Sequence, residues 1–297
     1  MKTGFVILHY QNIEVTYKCL NLLLKLQDIQ KSEVIVVDNA SLNGSGQELK
    51  KAYINHKNIH VVMNSRNEGF ARGNNIGYQL AKKVYGCDNI VVMNSDVYIE
   101  QNDFIIKINE RFTDNPECSI IAPDIYAMKG YYQNPISLNV PTKQFADFWY
   151  FKVSTMAFLL QIPIVSTYVA KMIIKKRAII EENKASLVDT RKAVKAEGIT
   201  PHGACVIFGN NWVKKEDIAF IPYTFLYAEE YLLSYYAYAN GYKCVFFPNI
   251  KVVHEAGAST QIDEKQIVVK LRFAYRNEIE SIKQLRRLIK DGGRIHL

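Results

Sequence analysis

The 297-residue chain is poor in the residues that build cross-linked or metal-clasped folds. Its five cysteines, Cys19, Cys87, Cys118, Cys205 and Cys244, are odd in number, far apart and never in a CxxC pair. That spacing argues against a disulfide framework and against a zinc site, and it suits a reducing, cytoplasmic compartment. No Gly-x-Gly-x-x-Gly follows the first apolar run and no GxxxxGK[ST] is present, so the dinucleotide-binding and P-loop readings lack their phosphate cradles. The opening "MKTGFVILHY" stops being apolar at His9, which is too short for a membrane span and has no small-residue cleavage site. It reads as a first core strand. The formal net charge is +8, yet no nucleic-acid-binding module accompanies it, and with 48% hydrophobic residues the chain is no candidate for disorder.

What is present is an alternation. "GFVILHY", "EVIVVD", "IHVVMN", "NIVVMNSD" and "SIIAPD" are short β-branched runs, and segments of helical spacing such as Val15 to Leu26 lie between them. Alternation of this kind predicts βα units around a parallel sheet. Three of the runs end in polar residues: His9 and Tyr10, Asp38 and Asn39, and Asn94, Ser95 and Asp96. Strand ends of a parallel sheet share the edge where ligands bind, so these groups are expected to form one site. After the third run, "NSRNEGFARGNNIGYQLA" places Gly69 and Gly73 at the opening of a helix, with Arg72 near its start and Ile76, Leu80 and Val84 on its later face. A helix start with small residues and a cation suits an anionic ligand; an ordinary glycine loop with an exposed arginine fits the same residues.

Six stretches, taken in order, carry a resemblance: "VVDNAS" (36–41), "NEGFARGNNIG" (67–77), "MNSD" (93–96), "HGACVIF" (202–208), "FLYAEEYLLSYYAYANGYK" (225–243) and "VVHEAGAS" (252–259). Together they resemble the successive motifs of bacterial family 2 glycosyltransferases, especially the rhamnosyltransferase-like enzymes of surface polysaccharide synthesis. The resemblance implies an α/β GT-A fold, a Rossmann-like, mostly parallel sheet flanked by helices. It also implies a nucleotide-diphosphate sugar donor (dTDP-rhamnose or a UDP-hexose), a divalent cation (Mn2+ or Mg2+) and inversion at the anomeric carbon. His9, Tyr10, Asp38, Asn39, Asn67, Gly69, Arg72, Asn74, Asn94, Ser95 and Asp96 would then contact the donor, Arg72 near the diphosphate. Asp96 is the final acid of a DxD-like motif written here as "NSD"; with His254 it would hold the metal. Glu230 falls on the family's base position, with Glu229 as the alternative, although the usual residue is Asp and the acid expected two places on is replaced by Leu232.

The chain divides on this reading into a nucleotide-sugar-binding half (1–125), a partly hydrophobic helical insertion (126–200), an acceptor and catalytic half (201–261) and a basic amphipathic helical tail (262–297). The insertion from Phe145 to Arg177 has no charge between Lys152 and Lys171 and is read as an interfacial or acceptor-covering helical hairpin, or as a buried helical insertion. In the tail, Val268, Leu271, Tyr275, Ile279, Ile282, Leu285 and Ile289 recur at helical spacing between basic residues. Such a helix fits an anionic membrane, or else packs on the domain or on a twin subunit. The expected protein is a cytoplasmic enzyme on the inner face of the membrane that extends a lipid-linked glycan, possible also as a homodimer. A non-catalytic sugar-nucleotide-binding scaffold and a nucleotidyltransferase are the competing readings.

Overall fold

The computed structural model describes residues 1–186, 198–255 and 264–296. Residues 187–197 of the insertion, 256–259 of the "VVHEAGAS" stretch and the first two residues of the tail lie outside it.

The Val/Ile runs form strands because they are covered on both faces. Strands β1 (Thr3–His9), β2 (Glu33–Asp38), β3 (Ile59–Met63) and β4 (Asn89–Asn94) pair in parallel in the order β3-β2-β1-β4. Helices α1 (Ile13–Leu23), α2 (Ser45–Ala52) and α3 (Gly69–Lys83) make the crossovers. Helix α1 starts two residues before the expected Val15 because Asn12 caps it, its side chain accepting from Val15 N. It ends at Leu23, and Leu26 belongs to the following turn.

Beyond β4 the sheet changes character. After β5 (Val97–Tyr98) and α4 (Phe104–Asp114) come β6 (Cys118–Ala127) and β7 (Tyr131–Tyr132), and later β8 (Cys205–Phe208) and β9 (Lys243–His254). Strand β8 lies antiparallel between β4 and β6, β9 runs parallel to β6, and β5 is antiparallel to β9. The expected "SIIAPD" strand is therefore longer than its apolar run. Its register on β9 shifts between Pro123 and Asp124, where β9 advances from Phe247 to Lys251 and carries the extra residues, Pro248 among them.

Helix α3 packs differently from the expected Ile76, Leu80 and Val84 face. Ala71, Asn74, Asn75, Tyr78 and Ala81 are buried, Ile76 and Leu80 are half-buried, and Val84 is exposed. Glycine explains the choice. A Cβ on Gly77 would lie 2.5 Å from Val6 Cγ1, and one on Gly73 would lie 2.8 Å from Leu8 Cδ1. The glycine side of the helix rests on β1, and this close approach brings the start of α3 to the carboxyl edge of the sheet.

The remaining helices are α5 (Lys143–Gln161), α6 (Pro163–Ser186), α7 (Asn210–Lys215), α8 (Glu229–Ala239) and α9 (Glu264–Lys290). The tail's apolar seam is used internally: Leu271, Ile282, Leu285 and Leu288 are buried, and α9 packs on α5, α6 and α8. Among the described residues no helix is long and apolar enough to cross a membrane.

Candidate active site

Register sets the site. His9 is aligned with Asp38 across β1 and β2, and Leu8 with Asn94 across β1 and β4, so the three polar strand ends share one edge as expected. The antiparallel strand β8 begins where β4 ends, with Asn94 N donating to Ala204 O. That adds His202 to the same edge.

On the β2 side the polar groups hold one another. Asn39 Nδ2 donates to Asn67 Oδ1 at 2.9 Å and to Gly69 O at 3.1 Å, while its Oδ1 accepts from Asn64 and from Glu68 N. The loop leading into α3 is thereby tied to the end of β2. His9 is fully buried, its ring nitrogens 2.7 Å from Thr16 Oγ1 and 2.8 Å from Ser45 Oγ; burial pushes its pKa down, partly offset by Asp38. Asp38 is also fully buried and takes the Ser41 amide on both oxygens, so it shapes the 38–45 turn. Asn74 is buried inside the helix–sheet interface, its amide donating to Phe70 O. Tyr10 and Arg72 are exposed, and Arg72 Nε donates to Pro222 O.

On the β4 side Asn94, Ser95 and Asp96 are partly buried, and Asp96 sits in the turn between β4 and β5. Its Oδ1 lies 3.2 Å from His254 Nε2, and the opposite ring nitrogen, Nδ1, lies 2.7 Å from Gln133 Oε1. In the tautomer that lets Nδ1 donate to that amide oxygen, Nε2 presents a lone pair to a carboxylate. That arrangement suits a cation shared by the two; with the Gln133 amide turned round, Nε2 carries the N–H instead and donates to Asp96 directly. Among the described residues no cluster of three His, Cys, Asp or Glu side chains converges on a metal position. A carboxylate and an imidazole nonetheless fit an Mg2+ or Mn2+ ion that takes its other ligands from waters and phosphate oxygens. Lys18 fastens this corner, with its amine 3.3 Å from Glu255 and 4.0 Å above the Tyr98 ring, and Glu255 N donates to Asp96 O.

Facing this edge is the start of α8. Tyr227 and Ala228 precede it with φ of +74° and +62°, a left-handed pair of non-glycine residues of the kind concentrated at functional sites. They turn the chain so that Glu229 and Glu230 open the helix. Glu229 is buried and accepts from Thr224 Oγ1 at 3.0 Å; the partly buried Glu230 accepts from Gly203 N at 3.4 Å. Burial pushes both carboxyls up, Glu229 to about 8 with the Glu230 charge adding to the effect. Glu230 is thus linked through Gly203 to His202, whose ring centre is 5.8 Å from that of His254.

His202 and Gln133 were not among the expected site residues. The "HGACVIF" stretch, a histidine and glycine just before a short strand, carried the signal for His202. For Gln133 the sequence offers no comparable pattern. Beyond α8, a groove of about 980 Å³ is lined by Tyr231, Tyr235, Tyr238, Phe145 and the 136–143 loop.

The profile of "Glycosyl transferase family 2" matches residues 5–182. The chain is 31% identical over 101 residues to the low-salt glycan biosynthesis hexosyltransferase Agl10 of Haloferax volcanii, an alignment spanning 33% of this chain and 30% of that protein. Three solved structures share the fold at low identity. S. aureus TarS 1-349 in complex with UDP has a TM-score of 0.52 at 17% identity, with 98% of this chain and 71% of that one covered. GalNAc-T7 with UDP, GalNAc and Mn2+ has a TM-score of 0.59 at 13% identity, with 98% and 54% covered. The mannosyltransferase PcManGT from Pyrobaculum calidifontis, in complex with GDP-Man and Mn2+, has a TM-score of 0.52 at 14% identity, with 99% and 76% covered. The sheet flanked by helices is a GT-A fold, and with the family profile extending over more than half of its length the chain belongs to glycosyl transferase family 2.

Proposed function

We propose that the protein transfers a hexosyl or rhamnosyl residue from a nucleotide-diphosphate sugar to a hydroxyl of a lipid-linked glycan, with inversion, in bacterial surface polysaccharide synthesis. The observation that carries the reading is the meeting, at one sheet edge, of the Asp96–His254 pair with the desolvated acids that open α8. Glu230 takes the proton of the acceptor hydroxyl. The acceptor oxygen forms its bond to the anomeric carbon while the bond from that carbon to the diphosphate oxygen breaks. General-base help of this kind contributes about 10²–10⁴-fold. Glu229, held by Thr224, keeps its own proton near neutrality and leaves Glu230 the acid that exchanges one.

Asp96 and His254 would hold a divalent cation, which when bound supplies charge compensation for the departing diphosphate. Arg72, at the start of α3, stands on the same side for the donor phosphates. Asp38, buried beneath the 38–45 turn, would act on a nucleotide base by holding the backbone of that turn beside Tyr10. The tyrosine-lined groove next to Glu230 receives the acceptor, since aromatic faces suit sugar rings. The hexosyltransferase relative and the UDP, GDP-Man and Mn2+ complexes of the structural neighbours support the class of donor and ion.

A panel of nucleotide sugars, assayed for nucleoside diphosphate release with Mn2+, with Mg2+ and with chelator, tests the proposal. One donor should turn over only with metal. A protein that binds a donor and never releases the diphosphate with any acceptor would be a scaffold.

A further inference from the structure

One surface plays no part in the chemistry above. Helices α5 and α6 join at Ile162 as a hairpin and pack on one another, and their inner faces close a small apolar core with α9 through Leu160, Val169, Ala170 and Leu271. Among the described residues, large apolar side chains on their outer faces stay exposed. Phe148, Phe151 and Phe158 on α5 and Ile164, Tyr168 and Met172 on α6 are each half or more exposed, Ile164 at 92%. The spacing puts the three phenylalanines along one side of α5, and Ile164, Tyr168 and Met172, four apart, along one side of α6. Single exposed apolar side chains are ordinary on a soluble domain. Six large ones on two adjoining helices mark a contact surface.

Charge identifies the occupant. From Phe148 to Ile180 the sequence has no Asp or Glu, against Lys152, Lys171, Lys175, Lys176 and Arg177. All four lysines are exposed, and Lys176 continues the Ile164, Tyr168, Met172 stripe one turn on. A second copy of the chain would set lysine against lysine. An anionic lipid surface satisfies both parts: aromatic and aliphatic side chains enter the headgroup boundary, and lysine stems extend along apolar surface to reach the phosphates. The hairpin is also joined to the site, because Phe145 and Trp149 at the start of α5 pack on Tyr231, next to Glu230.

We propose that the outer face of the α5–α6 hairpin seats the protein on an anionic lipid bilayer. The proposal does not depend on the sugar-transfer reading, since vesicle binding is measured without substrate. It assigns the contact to this hairpin and not to α9, whose apolar seam is buried in the domain.

The test is co-sedimentation of the full chain with phosphatidylcholine vesicles, with and without phosphatidylglycerol. The parent should bind the mixed vesicles, ignore the neutral ones and be released by salt. Lys171→Gln, Lys175→Gln and Lys176→Gln together should weaken binding by roughly a hundredfold, at about fivefold per lysine. Phe148→Ser, Phe151→Ser and Phe158→Ser together should abolish it at low salt. Arg287→Gln with Lys290→Gln on α9 should leave it within about twofold, well below the fivefold per lysine expected at the lipid face. The lysine set alters only exposed side chains and carries the test if the phenylalanine set does not fold. Equal binding to neutral vesicles, no binding to either, or equal loss from the α9 variant would overturn the proposal. So would hairpin variants that change the monomer–dimer distribution and not vesicle binding.

Discussion

Two acidic sites meet across the same sheet edge and are built in opposite ways. Asp96 faces an imidazole at 3.2 Å, and its strand turn is fastened by Lys18 through Glu255. Glu229 and Glu230 are neighbours in sequence, the first buried and the second partly so, and take their hydrogen bonds from a hydroxyl and a backbone amide. A carboxylate beside a cationic or metal-binding partner holds its charge and can fix an ion in place. Carboxyls crowded together away from water hold a proton and are poised to exchange one. The environment, more than the residue type, separates the ion-holding site from the proton-transferring one.

The comparison breaks most visibly at its polar end. Asp96→Ala should remove metal-dependent donor turnover while the protein stays folded by circular dichroism; near-parental turnover with metal would remove Asp96 from the ion site. A smaller effect comes from the residue that orients His254. Gln133→Ala should weaken Mn2+ affinity by roughly 10- to 100-fold, the usual cost of losing an outer-shell partner of a metal-binding histidine, with transfer restored by added Mn2+. Loss of transfer that no metal concentration rescues would count against that role.

The smallest effect belongs to Glu229 of the desolvated pair. Glu229→Gln imitates the protonated acid and should slow transfer by only a few-fold. Its stability profile is more informative. The raised pKa means that the folded chain keeps a proton which the unfolded chain releases, so the parent should lose stability as pH rises from the ordinary 4.5 toward about 8 and level off above it. The Gln variant should lose less over the same window, as read by melting temperature against pH. Parallel profiles for the two proteins would mean that Glu229 is not the group holding the proton.

The parallel part of the sheet was readable because β1, β2 and β4 are buried on both faces and so are written as unbroken Val/Ile runs with polar ends. Asp96 stands out for the same reason, as an acid at the end of an apolar run, whereas Glu230 stands out only through the resemblance of "AEEYLL" to the family's motif. Strand β8 carries four residues and no alternation, and its antiparallel insertion, which delivers His202, follows from pairing with distant β4 and β6. Hydrophobic periodicity picks the wrong face of α3 because the contact side is made of glycines, which it does not count. In α9 periodicity marks an apolar seam, but spacing alone does not reveal whether a seam meets lipid or the protein's own helices. The left-handed residues Tyr227 and Ala228 have no composition signal; only the backbone shows them.

Single-turnover transfer by Glu230→Gln, at saturating donor and Mn2+, addresses the division of labour most directly. The substitution preserves shape and removes proton acceptance, so the rate should fall by about a hundredfold or more while donor and metal affinities stay parental. A parental transfer rate in that variant, or a loss explained by weaker donor or metal binding, would contradict the assignment of Glu230 as the base.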